Sequence, residues 1–291
     1  MDFKPIVQKS KIFMQVFIKR YSASQISNNS IVLSYYLLLS IFPALMFFGS
    51  LLPILNIDIA TVLEYIKTAI PNTIYDVAAP FIRDFLGRGN GGLLSIGALL
   101  TLYSASKAMV AFQNTINQAY GISKRPNMII SRILAFVLTL LIIAIIAALI
   151  FFFSFGQTIV YYLTPIFKLP GDLFNLIGQI KWPIMLIGTF ICLTLLYYLA
   201  PHKKIKFRYT IPGALVATIG LLLLSQLFSL YVQYFARSVS SYKALGTFII
   251  VLFWLNFLSM IALLGGVINA TWQDLHTKKN EETKTDSESK T

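Results

Sequence analysis

The chain reads as an all-α polytopic membrane protein, with six transmembrane helices plus short amphipathic helices at the interfaces. Three observations predict this. Of its 291 residues, 57% are hydrophobic and only 12% charged, whereas soluble domains carry about 25% charged residues. Six apolar stretches reach the roughly 18 residues that a helix, rising about 1.5 Å per residue, needs to cross a hydrocarbon core of about 30 Å. Finally, every acidic residue lies outside those stretches, and only one basic residue, Lys107, lies inside one.

The expected spans are Ile31–Leu55, Leu93–Gln113, Ile133–Phe155, Trp182–Ala200, Ile211–Phe235 and Leu245–Ala270. They divide the chain into a cytoplasmic interfacial segment (1–30), a membrane domain (31–272) and a tail (273–291). In the first segment, Ile6, Phe13 and Phe17 among lysines predict an interfacial helix over Phe3–Arg20. The loop from Asn56 to Gly92 is long. Pro71 splits it into two segments whose apolar residues recur at i, i+3 and i+4, predicting short helices at the membrane mouth. The tail from His276 is rich in Lys, Glu, Ser and Thr and is expected to be disordered. An even number of spans puts both termini on one side. The segments on that side hold more than twice the Lys and Arg of the loops opposite, so both termini are expected in the cytoplasm of a cell-membrane protein.

The formal charge of +13 sits in loops beside apolar spans. It fits anionic lipid headgroups better than a duplex groove, so membrane lipids are expected as partners and nucleic acid is not. The first 30 residues lack an apolar core with a small-residue cleavage site, and no signal peptide is indicated. The lone Cys192 allows no intrachain disulfide. His202 and His276 are the only histidines and both fall outside the spans. With no intramembrane acid, no His/Asp/Glu/Cys cluster and no phosphate loop, no cofactor, metal site or catalytic residue is expected, and the chain is read as not being an enzyme.

Polar and helix-breaking residues within the spans are the candidate sites. Ser104, Lys107, Ala111, Asn114 and Gln118 share one helical stripe, which is expected to face the bundle interior because lipid offers no hydrogen-bond partner. Two placements are open to Lys107: that interior, or snorkelling to the headgroups. Tyr35 and Asn256 complete the candidate substrate-binding set. Pro43 predicts a kink near Ser40. Pro212 and Gly213 suit a helix start, and Gly246 and Gly265 suit close helix contact.

The run Ser34-Tyr35-Tyr36-Leu37-Leu38-Leu39-Ser40-Ile41-Phe42-Pro43 resembles the first-span motif of the YihY/BrkB family of bacterial inner-membrane proteins. The same family is resembled by Ser104-Ala105-Ser106-Lys107-Ala108 with Asn117, Ala119, Tyr120 and Gly121, and by Pro212-Gly213-Ala214-Leu215. So it is by Leu245-Gly246, Trp254-Leu255, Leu264-Gly265 and Asn269-Ala270. The likeness extends roughly from Arg20 to Trp272. One departure is Val267, where many members look like Gly-Ala-Glu-Leu-Asn-Ala; a role resting on that glutamate would be lost here. The resemblance implies a six-helix membrane fold and a link to envelope integrity. It makes transport or flipping of a lipid or other amphipathic substrate the expected function. The alternative is a non-catalytic envelope-assembly or scaffold protein acting through a homo-oligomer or envelope protein partners. The ribonuclease label that members have carried finds no support in these residues.

Overall fold

The computed structural model describes residues 4–54, 58–70, 72–87, 91–122, 129–145, 173–235 and 243–288. Among the described residues every element is helical. In chain order these are α1 (Lys4–Ala23), α2 (Ile26–Leu51), α3 (Ile59–Ala69), α4 (Asn72–Gly87), α5 (Gly91–Ala119) and α6 (Ile129–Ile145). A second group follows: α7 (Leu173–Leu199), a 3-10 turn (Phe207–Tyr209), α8 (Ile211–Phe235) and α9 (Lys243–Glu288).

Four stretches among the described residues are long and apolar enough to cross a bilayer: Ile26–Leu51, Ser95–Ala119, Phe207–Phe228 and Phe248–Thr277. The expectation of six is therefore met in four places. The third expected span is described only as far as Ile145, and its remainder lies outside the described residues. The fourth belongs to α7, whose described apolar part is Met185–Leu199; the helix itself starts nine residues before Trp182 and carries Pro183 inside it. The first begins at Ile26 rather than Ile31, because the break from α1 falls at Gln25, held at φ 44 in the left-handed region. α2 then runs unbroken through Pro43.

The last helix also departs from the reading of the tail. α9 does not stop at Ala270 but continues to Glu288. After Gly266 the chain offers neither Gly nor Pro to end it, and its Lys, Glu and Gln residues are good helix formers. At the other end, the two amphipathic segments after α2 are α3 and α4. Asp58 caps α3, accepting a hydrogen bond from the Ala60 N–H at 3.3 Å. α4 lies against the end of α2: the Phe42 and Phe85 rings are 5.5 Å apart, and a Cβ on Gly49 would stand 2.5 Å from the Leu86 carbonyl oxygen.

α2 and α5 form the most extensive helix pair, and α9 packs along both as well as along α8. The buried core runs through Ile26 and Leu33 of α2, Ala108, Phe112, Ile116 and Ala119 of α5, Tyr197 of α7, Ala214 and Ala217 of α8, and Leu263 and Val267 of α9. Small residues set the closest crossing. A Cβ on Gly213 would fall 1.9 Å from the Gly265 carbonyl oxygen, and one on Gly265 would meet the Tyr197 hydroxyl at 2.3 Å. Backbones can approach this closely only where no side chain intervenes. Hydroxyls inside the helices mostly bond their own preceding turn, as Ser34 does to Ile31 O and Thr218 to Ala214 O. Such bonds satisfy polar groups without a partner in lipid.

Gly213→Ala should therefore lower stability by about 3 kcal/mol, since two backbones must separate to admit one methyl. Gly87→Ala, with open space around its Cβ, should be tolerated. Thermal loss of the monodisperse peak in detergent, measured on both variants, checks the contrast.

Candidate functional site

The polar stripe of α5 is turned away from the core. Asn114 and Gln118 are exposed, Ser104, Lys107 and Ala111 are half-buried, and the buried side of the helix is Ala108, Phe112, Ile116 and Ala119. This corrects the expectation that the stripe lines the bundle interior. The physical reason is that α5 buries Thr101, Gln113, Thr115 and Asn117 along with its apolar side chains, so polarity does not mark which face is packed.

Lys107 is half-buried and packs on aromatic rings. Its ammonium lies 4.8 Å from the centroid of the Tyr103 ring, one turn back along α5, and 5.7 Å from that of Tyr36 on α2. Helical side chains lean toward the N-terminus, which carries the ammonium back onto Tyr103. Both rings face it with negative π clouds. Arg132 of α6 is a further cation whose field reaches both Lys107 and Tyr103, and among the described residues no carboxylate acts on the pair. The result is a cationic patch with an aromatic floor, at the α2–α5 seam.

The other candidates do not gather there. Tyr35 is exposed, and it is its neighbour Tyr36 that reaches Lys107. Asn256 of α9 donates to the Ser30 hydroxyl of α2 at 3.3 Å and so ties two helices together. Pro212 is half-buried in the first turn of α8. Gly213 and Gly265 make the α8–α9 crossing, and Gly246 lies in the first turn of α9, its surroundings outside the described residues.

A second polar region, where α1 meets α9, was not marked by any in-span charge. Asn269 of α9 accepts the Gly213 N–H at 2.7 Å and so satisfies a free donor of the first turn of α8. The Tyr197 hydroxyl donates to the Ala262 carbonyl at 2.6 Å. Arg20 of α1 pairs with Asp274 of α9 through its Nε and a terminal nitrogen. Beneath that guanidinium lies Gly121, at φ +68, where a Cβ would sit 2.7 Å away. A glycine is needed there on both counts. Burial, with the Asp274 charge adding to it, pushes the Tyr120 hydroxyl well above the usual phenol range. Sequence signals for this region existed, in Asn117-x-Ala119-Tyr120-Gly121 and in Asn269, but nothing in their spacing says that they meet.

Asn117 holds His202 in one protonation state. Its Oδ1 accepts the His202 backbone N–H at 2.9 Å, which leaves its amide Nδ2 to donate to His202 Nδ1. That ring nitrogen must then carry no proton, so the imidazole is neutral with its proton on Nε2. Burial acts in the same direction and lowers the His202 pKa from its ordinary value of about 6.5. A depressed pKa means that stability is complete above pH 6.5 and declines as pH falls below it, because the unfolded chain binds the proton first. The melting temperature should thus drop between pH 7.5 and 5.5, and His202→Asn should flatten that part of the profile. Thermal scans of both proteins across this window test it.

The chain matches the model of the virulence factor BrkB family over residues 17–290. It is 33% identical over 268 residues to the ribonuclease-like protein YfkH of Bacillus subtilis, covering 92% of this chain and 96% of that one. It is 27% identical to a UPF0761 membrane protein of Mannheimia succiniciproducens, over 94% of each chain. A UPF0761 membrane protein of Aggregatibacter aphrophilus is 24% identical over 92% of this chain and 95% of its own. No solved structure matches. The chain is a membrane protein belonging to the BrkB family.

Proposed function

We propose that this protein transports or flips a lipid or other amphipathic substrate across the cell membrane, taking an anionic headgroup at Lys107. The observation that carries the reading is the cationic patch at the α2–α5 seam: Lys107 on two tyrosine rings, with Arg132 near and, among the described residues, no carboxylate acting on it. An ammonium in a helix otherwise free of charge is available to a phosphate from the lipid side. The exposed face around it, with Tyr103, Leu99 and Leu100, suits acyl chains.

The dense Gly213–Gly265 crossing favours a second reading, a non-catalytic scaffold for envelope assembly that acts through partner proteins. Under either reading the protein is not an enzyme. The ribonuclease-like name belongs to the Bacillus relative and is not carried into this reading.

Leaflet exchange of a fluorescent anionic phospholipid in reconstituted vesicles tests the proposal. Wild type should exceed protein-free vesicles, Lys107→Ala should lower its rate about tenfold, and Lys107→Arg should keep most of it. Equal rates for wild type and Lys107→Ala would remove Lys107 from the mechanism. A wild-type rate no higher than that of protein-free vesicles would end the transport reading in favour of the scaffold.

A further inference from the structure

The turn between α7 and α8 carries a concentration of positive charge on a fixed backbone. Lys203, Lys204, Lys206 and Arg208 fall within six residues, and all four side chains are exposed. Between and after them Ile205, Tyr209 and Thr210 are buried, so the segment is pinned on one side while its cations stand out on the other. Asn117 of α5 accepts the His202 N–H at 2.9 Å. The Tyr209 N–H donates to the Lys206 carbonyl at 2.9 Å, and the Thr210 N–H to that of Phe207 at 3.0 Å. Arg208 lies over the Tyr209 ring, 5.1 Å from its centroid, which restricts the guanidinium further. No acidic residue occurs between Asp172 and Asp274, and Asp274 is taken up by Arg20.

An exposed apolar stripe starts where these cations end. Phe207–Phe228 is one of the stretches long and apolar enough to cross a bilayer, so the four cations stand at its end, at the depth where headgroups lie. Further along α8, Ile211, Leu215, Ile219 and Leu222 are exposed. Their spacing of i, i+4, i+8 and i+11 puts them on one face of the helix. Phe207, 50% exposed and with its ring edge-on to that of Tyr198 at 5.6 Å, joins this face to the charged turn. Cations that only set topology need no fixed conformation. Here a braced cationic turn and an apolar stripe are continuous, which matches one molecule with an anionic head and long acyl chains.

We propose that the α7–α8 turn is a binding site for one anionic phospholipid, with its phosphate held by Lys203, Lys204, Lys206 and Arg208 and its acyl chains laid along the 211–222 face of α8. The site is separate from Lys107. It does not rest on the transport reading, because a lipid held here need not move.

Native mass spectrometry tests it on the purified full chain in detergent, titrated with equal amounts of phosphatidylglycerol and phosphatidylcholine. The first lipid retained should be phosphatidylglycerol, preferred about tenfold, since each Lys or Arg near an anionic headgroup is worth about fivefold in affinity. Lys206→Gln with Arg208→Gln should remove most of that preference. Lys203→Gln with Lys204→Gln should do the same, and carries the comparison if the first pair does not stay monodisperse. Lys67→Gln with Arg83→Gln takes equal charge from exposed positions on α3 and α4 and should leave the preference unchanged. Equal retention of the two lipids by wild type would overturn the site. So would a preference that survives in the turn variants, or one that falls as far in the α3–α4 control, because overall charge would then be its cause. Displacement of the lipid by an equal concentration of inorganic phosphate would also overturn it, marking a site for the free anion. Lys107→Ala should keep the preference whatever it does to leaflet exchange, so the two readings fail separately.

Discussion

The close crossing of α8 and α9 at Gly213 and Gly265 is the contact on which the other helices depend. In lipid, burial of apolar surface does not drive helices together, so packing and interhelical hydrogen bonds must do so. Here both act at one place. Glycines let the backbones touch, Asn269 accepts the Gly213 N–H, and Tyr197 reaches from α7 to the Ala262 carbonyl beside the same crossing. Three helices are thereby fixed with a single set of side chains. α5 then docks Ile116 and Phe112 onto that surface, against Gly266 and Tyr197, and α2 docks onto α5.

This arrangement separates two kinds of polar chemistry. At the α2–α5 seam the Lys107 ammonium rests on two tyrosine rings, with the Arg132 charge near it. Where α1 meets α9, neutral amides and phenols are buried near the Arg20–Asp274 ion pair. The first is suited to attract a charge, whereas the second has no net charge to offer.

The Arg20–Asp274 contact also gives α1 a definite place. Phe17 and Tyr21 pack on the core, while Ile12, Met14 and Ile18 stay exposed alongside Lys11 and Lys19. The helix thus has one face for the bundle and another with the mixture of apolar and basic side chains that an anionic membrane surface receives. Its continuation into α2 is broken only at Gln25, so α1 and the first span meet at a fixed bend.

How much of this was legible in the sequence follows from the physics of each feature. Apolar length and the exclusion of charge mark membrane helices directly, because both are imposed by the bilayer on each segment alone; the helices at Ile26–Leu51, at Ser95–Ala119 and in α8 and α9 were visible for that reason. Pro71, with the apolar spacing on either side of it, likewise foretold α3 and α4. Lys107 stood out as the one charge within a span. What could not be read was which way α5 faces, since lipid and protein interior are equally apolar and a stripe of Ser104, Lys107 and Asn114 carries no label for either. Tyr36 rather than Tyr35 reaches the ammonium because of the rotation of α2 against α5. Arg20 and Asp274 are 254 residues apart, and Asn117 and His202 belong to different helices and loops. Only the tertiary structure brings such partners together, because helix packing in a membrane is decided by the fit of small residues across many contacts and not by the polarity of any one segment.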